Sequence, residues 1–257
     1  DLFAVGGAQA VAAMAYGTQS IRAVDVIVGP GNIYVTLAKR EVAGVVGIEA
    51  TAGPSELVVI ADDSTAPEWV AIDLMAQAEH GPNGAAVLVT WSETLAGAID
   101  AALADLVAAS PRRAEIEATL GSGGRAVLVD GPEQAMAVSN VVAPEHLQLM
   151  NDDPDKLISL VHNAGAVFCG PFAPAVVGDY VAGSNHVLPT NRTARFSSAL
   201  RVDNFLKHIH VVSLDQAALA KVEPHVSAFA AVEGLDAHGE SVRMRSSLRG
   251  ERSEEPR

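Results

Sequence analysis

The sequence predicts an α/β protein built on largely parallel strands, and three observations carry that expectation. Short apolar runs alternate along the chain with longer stretches of helical composition, as in strand–helix–strand units. Hydrophobic residues reach 49% while aromatics supply only 4%, so the core rests on Ala, Val, Leu and Ile, which suits helices packed on sheets. Glycine and proline fall between the runs, where the chain must turn. A chain of 257 residues suffices for one large domain or two ordinary ones.

Each element has its own signal. Residues 8–16 are Ala-rich and stop at Gly17, which reads as a helix. Residues 24–28 form a short apolar strand halted by Gly29-Pro30-Gly31, and a helix is expected over 33–42, ending near Gly44. After the turn AGPS comes a strand over 57–61. Thr65 and Glu68 have the spacing of a capping box, with Pro67 in the first turn, and the helix they open should end at Gly81-Pro82. A strand over 85–90 and a helix over 95–109 follow, and residues 127–129, 166–168 and 210–213 continue the strand series. The stretch from 170 to 201 is rich in Gly, Pro, Asn and Thr and reads as a long functional connection. Beyond Met244 the polar, mixed-charge segment RSSLRGERSEEPR reads as unstructured.

Charge and composition exclude several function classes. A net charge of −14 repels phosphate backbones, so nucleic acid is not an expected partner. No apolar run approaches the roughly 20 residues that span a bilayer, so no membrane association is expected. The start, DLFAVGGAQA, has neither a basic nor a strongly apolar leader region. Cys169 is alone, which rules out an internal disulfide and favours a reducing compartment, the cytoplasm. Because the chain opens on Asp1 directly before a helix, it is expected to lack a more N-terminal portion.

Five places carry residues suited to chemistry. Gln77 and His80, three apart in AQAEHGP, project from one face of a helix end, either as metal ligands or as a cap on the last turn. Glu145-His146 in VVAPEHLQLM pairs a carboxylate with an imidazole, which reads either as an acid–base pair or as an exposed helix start. Asp179, Asn185 and His186 lie in GDYVAGSNHVLPT, where Asp179 either binds metal or braces a turn. Glu233 and His238 lie far away, in EGLDAHGES. GPGN at 29–32 joins a strand to a helix and can face a cofactor, although it is not a GxGxxG fingerprint.

Taken together, GGAQAVAAMAYGT, VDVIVGPGNIYVTLAKR, AGPSELVVIAD, AQAEHGP, APEHLQL, GDYVAGSNHVLPT and EGLDAHGESV resemble the histidinol dehydrogenase family, in the family's order and up to about Met244. The resemblance implies incomplete Rossmann-like domains with mainly parallel sheets, plus a small C-terminal helical tail that swaps in a dimer. It implies a remnant of an NAD-side domain over 1–54 and a second Rossmann-like domain over 55–200. A dimerisation segment over 201–245 and a disordered tail over 246–257 would follow.

The resemblance further implies one zinc ion per subunit, held by Gln77, His80, Asp179 and His238, and Glu145 with His146 as acid–base residues. Substrate contacts would come from Ser55, Gln77, His80, His146, Asp179, Glu233 and His238, with His186 a further pocket candidate; Gln9 and Asn32 would contact NAD. The implied reaction is oxidation of L-histidinol to L-histidine through L-histidinal, in two NAD-dependent steps. In the implied homodimer, Glu233 and His238 complete the neighbour's site. The alternatives are a related NAD-dependent dehydrogenase of another small polyol, or an inactive fragment that only dimerises or binds metal.

Overall fold

The computed structural model describes residues 1–51, 53–81 and 83–246. The chain divides into two compact units that meet between Leu206 and Lys207. The first unit contains two sheets, and every strand pairing in both is parallel.

The smaller sheet joins β1 (Val26–Ile27) to β2 (Gly47–Ile48) and is covered by α1 (Gly7–Tyr16) and α2 (Ile33–Val42). Its core is Val11, Ala15, Ile27, Val42 and Val46. Only Val26 and Ile27 of the strand expected over 24–28 find a partner, because β2 offers just two residues to pair with.

The larger sheet has the order β5-β4-β3-β6-β7, formed by β3 (Glu56–Ala61), β4 (Ala85–Thr90), β5 (Gly124–Leu128), β6 (His146–Met150) and β7 (Ala166–Cys169). The chain steps outward from β3 to β5, then returns to lay β6 on the other side of β3. Helices α3 (Pro67–Ala78), α4 (Glu93–Ala109) and α5 (Arg113–Gly123) link the first three strands, and α6 (Pro132–Val142) and α7 (Pro154–Ile158) flank β6. Leu57, Val59 and Ala61 of β3 pack with Val70, Leu74 and Ile99 on one face. Val58 and Ile60 pack with Met136, Leu147 and Leu157 on the other. Burial on both faces explains why LVVIA is an unbroken apolar run rather than an alternating one.

Several expected elements differ. Thr65 does not cap α3: its hydroxyl donates to the Met150 carbonyl, fastening the start of the helix connection to β6, and Ala66 occupies the cap position. Residues 210–213 form no strand, since that exposed stretch pairs with no other strand among the described residues. Within the connection expected over 170–201, residues Ala175–Tyr180 form a helix, α8. Pro82 and the tail beyond Ser246 lie outside the described residues.

The second unit contains α9 (Gln216–Glu233) and α10 (Asp236–Ser246), turned back on each other at Gly234 in the left-handed conformation. Only Ala230 and Gly239 are buried on these helices, while Phe229, Val232 and Met244 are exposed. Among the described residues, no helix is long and apolar enough to cross a membrane.

Candidate active site

The larger sheet changes direction of strand addition between β3 and β6, and Leu57 lies directly opposite His146 there. In open parallel sheets such a point is where ligands usually bind, outside the carboxyl ends of the strands. Here the polar residues gather at the opposite, amino edge. Ser55 and Glu56 lead into β3, Glu145 and His146 lead into β6, and α3 delivers Gln77 at its last turn and His80 just beyond.

A small pocket at this edge is lined by Leu57, Asp73, Ala76, Gln77, His80, His146, Ala175, Val176 and Asp179. His146 is only 2% exposed. Its Nε2 lies 3.8 Å from Asp179 Oδ1 and its Nδ1 3.9 Å from Glu145 Oε2, too far for hydrogen bonds. His186 Nδ1 approaches the same Asp179 oxygen at 3.3 Å, and the His186 ring stacks on His146 with centroids 5.8 Å apart and planes 16° apart. Phe168 covers another side of His146. Ser55 Oγ donates to Gln77 Oε1 at 3.4 Å. Gln77 is buried, whereas His80 and His186 are exposed at the rim.

Burial dominates the acid–base behaviour of this cluster. It raises the Glu145 carboxyl to about 7, against the opposing effects of Ser55 and His186, while Glu56 and Asp179 push it further up. Burial lowers His146 to about 4, although Asp179 pulls the other way. His146 is therefore a neutral imidazole near pH 7 and able to accept a proton, and Glu145 is poised between its two forms.

The site fits a metal ion. Both His146 nitrogens, Asp179 Oδ1, Glu145 Oε2 and Gln77 Nε2 are buried without hydrogen-bond partners, an expensive arrangement unless a ligand completes it. Three ligand atoms, one each from His146, Asp179 and His186, lie within 4.8 Å of one another. Gln77 and His80 face the same pocket as Asp179, and a half-turn of the Gln77 amide would present an N–H to Ser55 and free its oxygen. These donors are nitrogen and oxygen with no thiolate, a set that suits a zinc open to substrate.

The remaining expected residues lie on other elements. Glu233 and His238 sit exposed on the second unit, on α9 and α10. Gln9 is exposed on α1, and Asn32 caps α2 by accepting from the Tyr34 and Val35 N–H groups. The turn before Asn32 is fixed from beneath. The buried Lys39 Nζ contacts Glu49 Oε1 at 2.6 Å and donates to the Gly29 carbonyl, while the Gly29 N–H donates to the same Glu49 oxygen. Gly29 has φ +126°, a conformation L side chains rarely adopt. An exposed helix N-terminus held this way fits a dinucleotide phosphate or ribose.

Sequence reasoning missed Glu56, Asp73 and Gln148. Glu56 is raised to about 7 by burial and accepts from the Asn191 N–H. Gln148 is wholly buried and bonds Asp73. A polar residue in the strand run HLQLM was the available signal.

The sequence profile described as histidinol dehydrogenase matches residues 1–246. A protein named histidinol dehydrogenase from Parasynechococcus marenigrum is 51% identical over 243 residues, 95% of this chain and 56% of that protein. One of the same name from Caulobacter vibrioides is 46% identical over 245 residues, 95% of this chain and 57% of that protein. The crystal structure of histidinol dehydrogenase from Elizabethkingia anophelis superposes with a TM-score of 0.85 at 38% identity, covering 93% of this chain and 55% of that one. The chain thus spans little more than half the length of these relatives, and it belongs to the histidinol dehydrogenase family.

Proposed function

We propose that the full-length protein oxidises L-histidinol to L-histidine through L-histidinal, with two NAD molecules and one zinc ion per subunit. The observation that carries this reading is the buried Glu145-His146 pair beside Asp179 and Gln77 at one sheet edge, in a chain of this family. Gln77, His80 and Asp179 would hold the zinc, joined by His238 of a second subunit. Bound there, the ion would supply a template for the substrate's amine and imidazole nitrogens.

In the first oxidation the substrate hydroxyl loses a proton as hydride leaves its carbon for NAD. The neutral His146 imidazole takes that proton, a role its depressed basicity allows at neutral pH. The second oxidation needs water added to the aldehyde carbon, then a second hydride transfer. Glu145 deprotonates that water, and a carboxyl near 7 can both accept and return the proton. Ser55 orients Gln77, and His186 holds the His146 ring by stacking. Asn32 and Gln9 would meet NAD at the α1–α2 surface.

The dimer belongs to this reading. A two-helix unit with only Ala230 and Gly239 buried cannot bury its apolar surface alone, and a partner subunit would cover Phe229 and Val232. Cytoplasmic location is the expectation for an enzyme using free NAD. Steady-state turnover of the full-length protein tests the function. NADH formation from L-histidinol should vanish on chelation and return with zinc; turnover of a different small alcohol but not L-histidinol would refute the assignment.

A further inference from the structure

Gln148 has a place in the site that none of its proposed ligands explains. It lies two residues after His146 on β6, so both side chains point to the same face of the sheet, and it has no exposed surface. Its Nε2 donates to Asp73 Oδ2 at 2.6 Å, and its Oε1 accepts from the Ala175 N–H at 3.3 Å. Asp73 is one helical turn before Gln77 on α3, and Ala175 is one turn before Asp179 on α8. Asp73 and Ala175 also line the same pocket as Gln77 and Asp179. One carboxamide thus spans the two helices that carry the buried pocket ligands, from the strand that carries His146.

We propose that Gln148 and Asp73 are positioning residues that fix the spacing of α3 and α8, and with it the geometry of the metal pocket. The inference rests on the reading of Gln77 and Asp179 as metal ligands. An amide suits the task because it offers a donor to one helix and an acceptor to the other, in a plane set by the strand. A carboxylate at 148 would keep the acceptor for Ala175 but face Asp73 with a like charge. Buried groups one shell behind the ligands commonly change metal affinity by about 10- to 100-fold.

The test uses the full-length enzyme, stripped of metal, with zinc affinity read by competition against a chromophoric chelator. The thermal midpoint of the metal-free protein is measured alongside. Gln148→Glu and Asp73→Leu should each weaken zinc binding by about 10- to 100-fold. Gln148→Glu combined with Asp73→Asn restores a donor–acceptor pair with its direction reversed, and should bring the affinity back to within about threefold, an allowance for the altered amide plane. A structural role alone would lower the midpoint of the single variants without moving zinc affinity, and that result overturns the proposal. So does a double variant that regains its midpoint but not its affinity. If Asp179→Asn and Gln77→Ala leave zinc binding unchanged, the metal reading itself fails, whatever Gln148 does.

Discussion

Two polar regions of the first unit sit at opposite ends of their strands. The GPGN turn follows β1 at its carboxyl end and opens into α2, where phosphate-binding turns are usually found. The Glu145-His146 cluster lies at the amino edge of β3 and β6. The first is a backbone device: Gly29, a helix terminus and an ion pair beneath them. The second is a side-chain device, made from five separate chain segments and held by side-chain hydrogen bonds such as Gln148 to Asp73 and by ring packing on His146. Backbone sites follow from fold; side-chain sites follow from which residues the fold happens to bring together.

The largest effect expected from breaking this contrast falls on the side-chain site. Glu145→Gln in the full-length enzyme should slow conversion of L-histidinal by about a thousandfold, within the usual range for a lost acid–base group. The alcohol step should suffer much less, and single-turnover kinetics from each substrate would separate them. Equal losses in both halves would refute the division of labour.

Lys39→Met addresses the backbone site. It leaves Glu49 as a buried charge without its cation, which costs about 3–5 kcal/mol of stability. Denaturant unfolding should record that loss, and KM for NAD should rise while zinc affinity stays put. A fall in zinc affinity of the same size would show that the two regions are not separate devices.

Gly165→Ala probes how tightly the sheet edge that carries Glu145 and His146 is packed. A Cβ there would lie 2.6 Å from the Glu145 carbonyl oxygen, so the backbone carrying Glu145 must shift. A shift of that kind should cost about tenfold in kcat, since misplacing a reacting group by about an ångström can cost a hundredfold. KM for NAD is the control and should not move.

The smallest effect concerns Glu56, whose carboxyl burial raises from 4.5 to about 7. The folded state then holds a proton that the unfolded state releases, so stability falls as pH rises between those values. Glu56→Gln should remove about 1–2 kcal/mol of that decline, seen as a flatter unfolding profile between about pH 5 and pH 8. A profile unchanged by the substitution would mean Glu56 contributes nothing to it.

The same contrast governs what the sequence revealed. The apolar strands β3 and β4 and helix α2 stood out because hydrophobic runs and glycine stops are local signals. HLQLM did not read as a strand, because Gln148 and His146 are polar residues buried by tertiary contacts that no local window contains. The β5 run is weak because it is an edge strand, with Arg125, Ala126 and Leu128 exposed. Residues 210–213 carried β-branched side chains but had no neighbour among the described strands to pair with. For the site, spacing left Gln77 and His80 open between metal ligand and helix end, and motif order alone favoured the first reading. That Asp179 sits on a helix, and that His186 stacks on His146, required the fold.

The pairing of β3 with β6 also has a consequence for how the protein assembles. Leu57 and His146 are neighbours in the sheet but roughly ninety residues apart in the chain, so their contact closes a long loop. The units β3–α3–β4 and β4–α4–α5–β5 can form from near neighbours, whereas this closure waits on everything between. A metal ion held by the proposed ligands would therefore have no complete pocket until β3 and β6 have paired, and would stabilise the finished protein without hastening its formation. Pulse-labelled hydrogen exchange should find the amides of β6 protected after those of β3 and β4, with or without zinc.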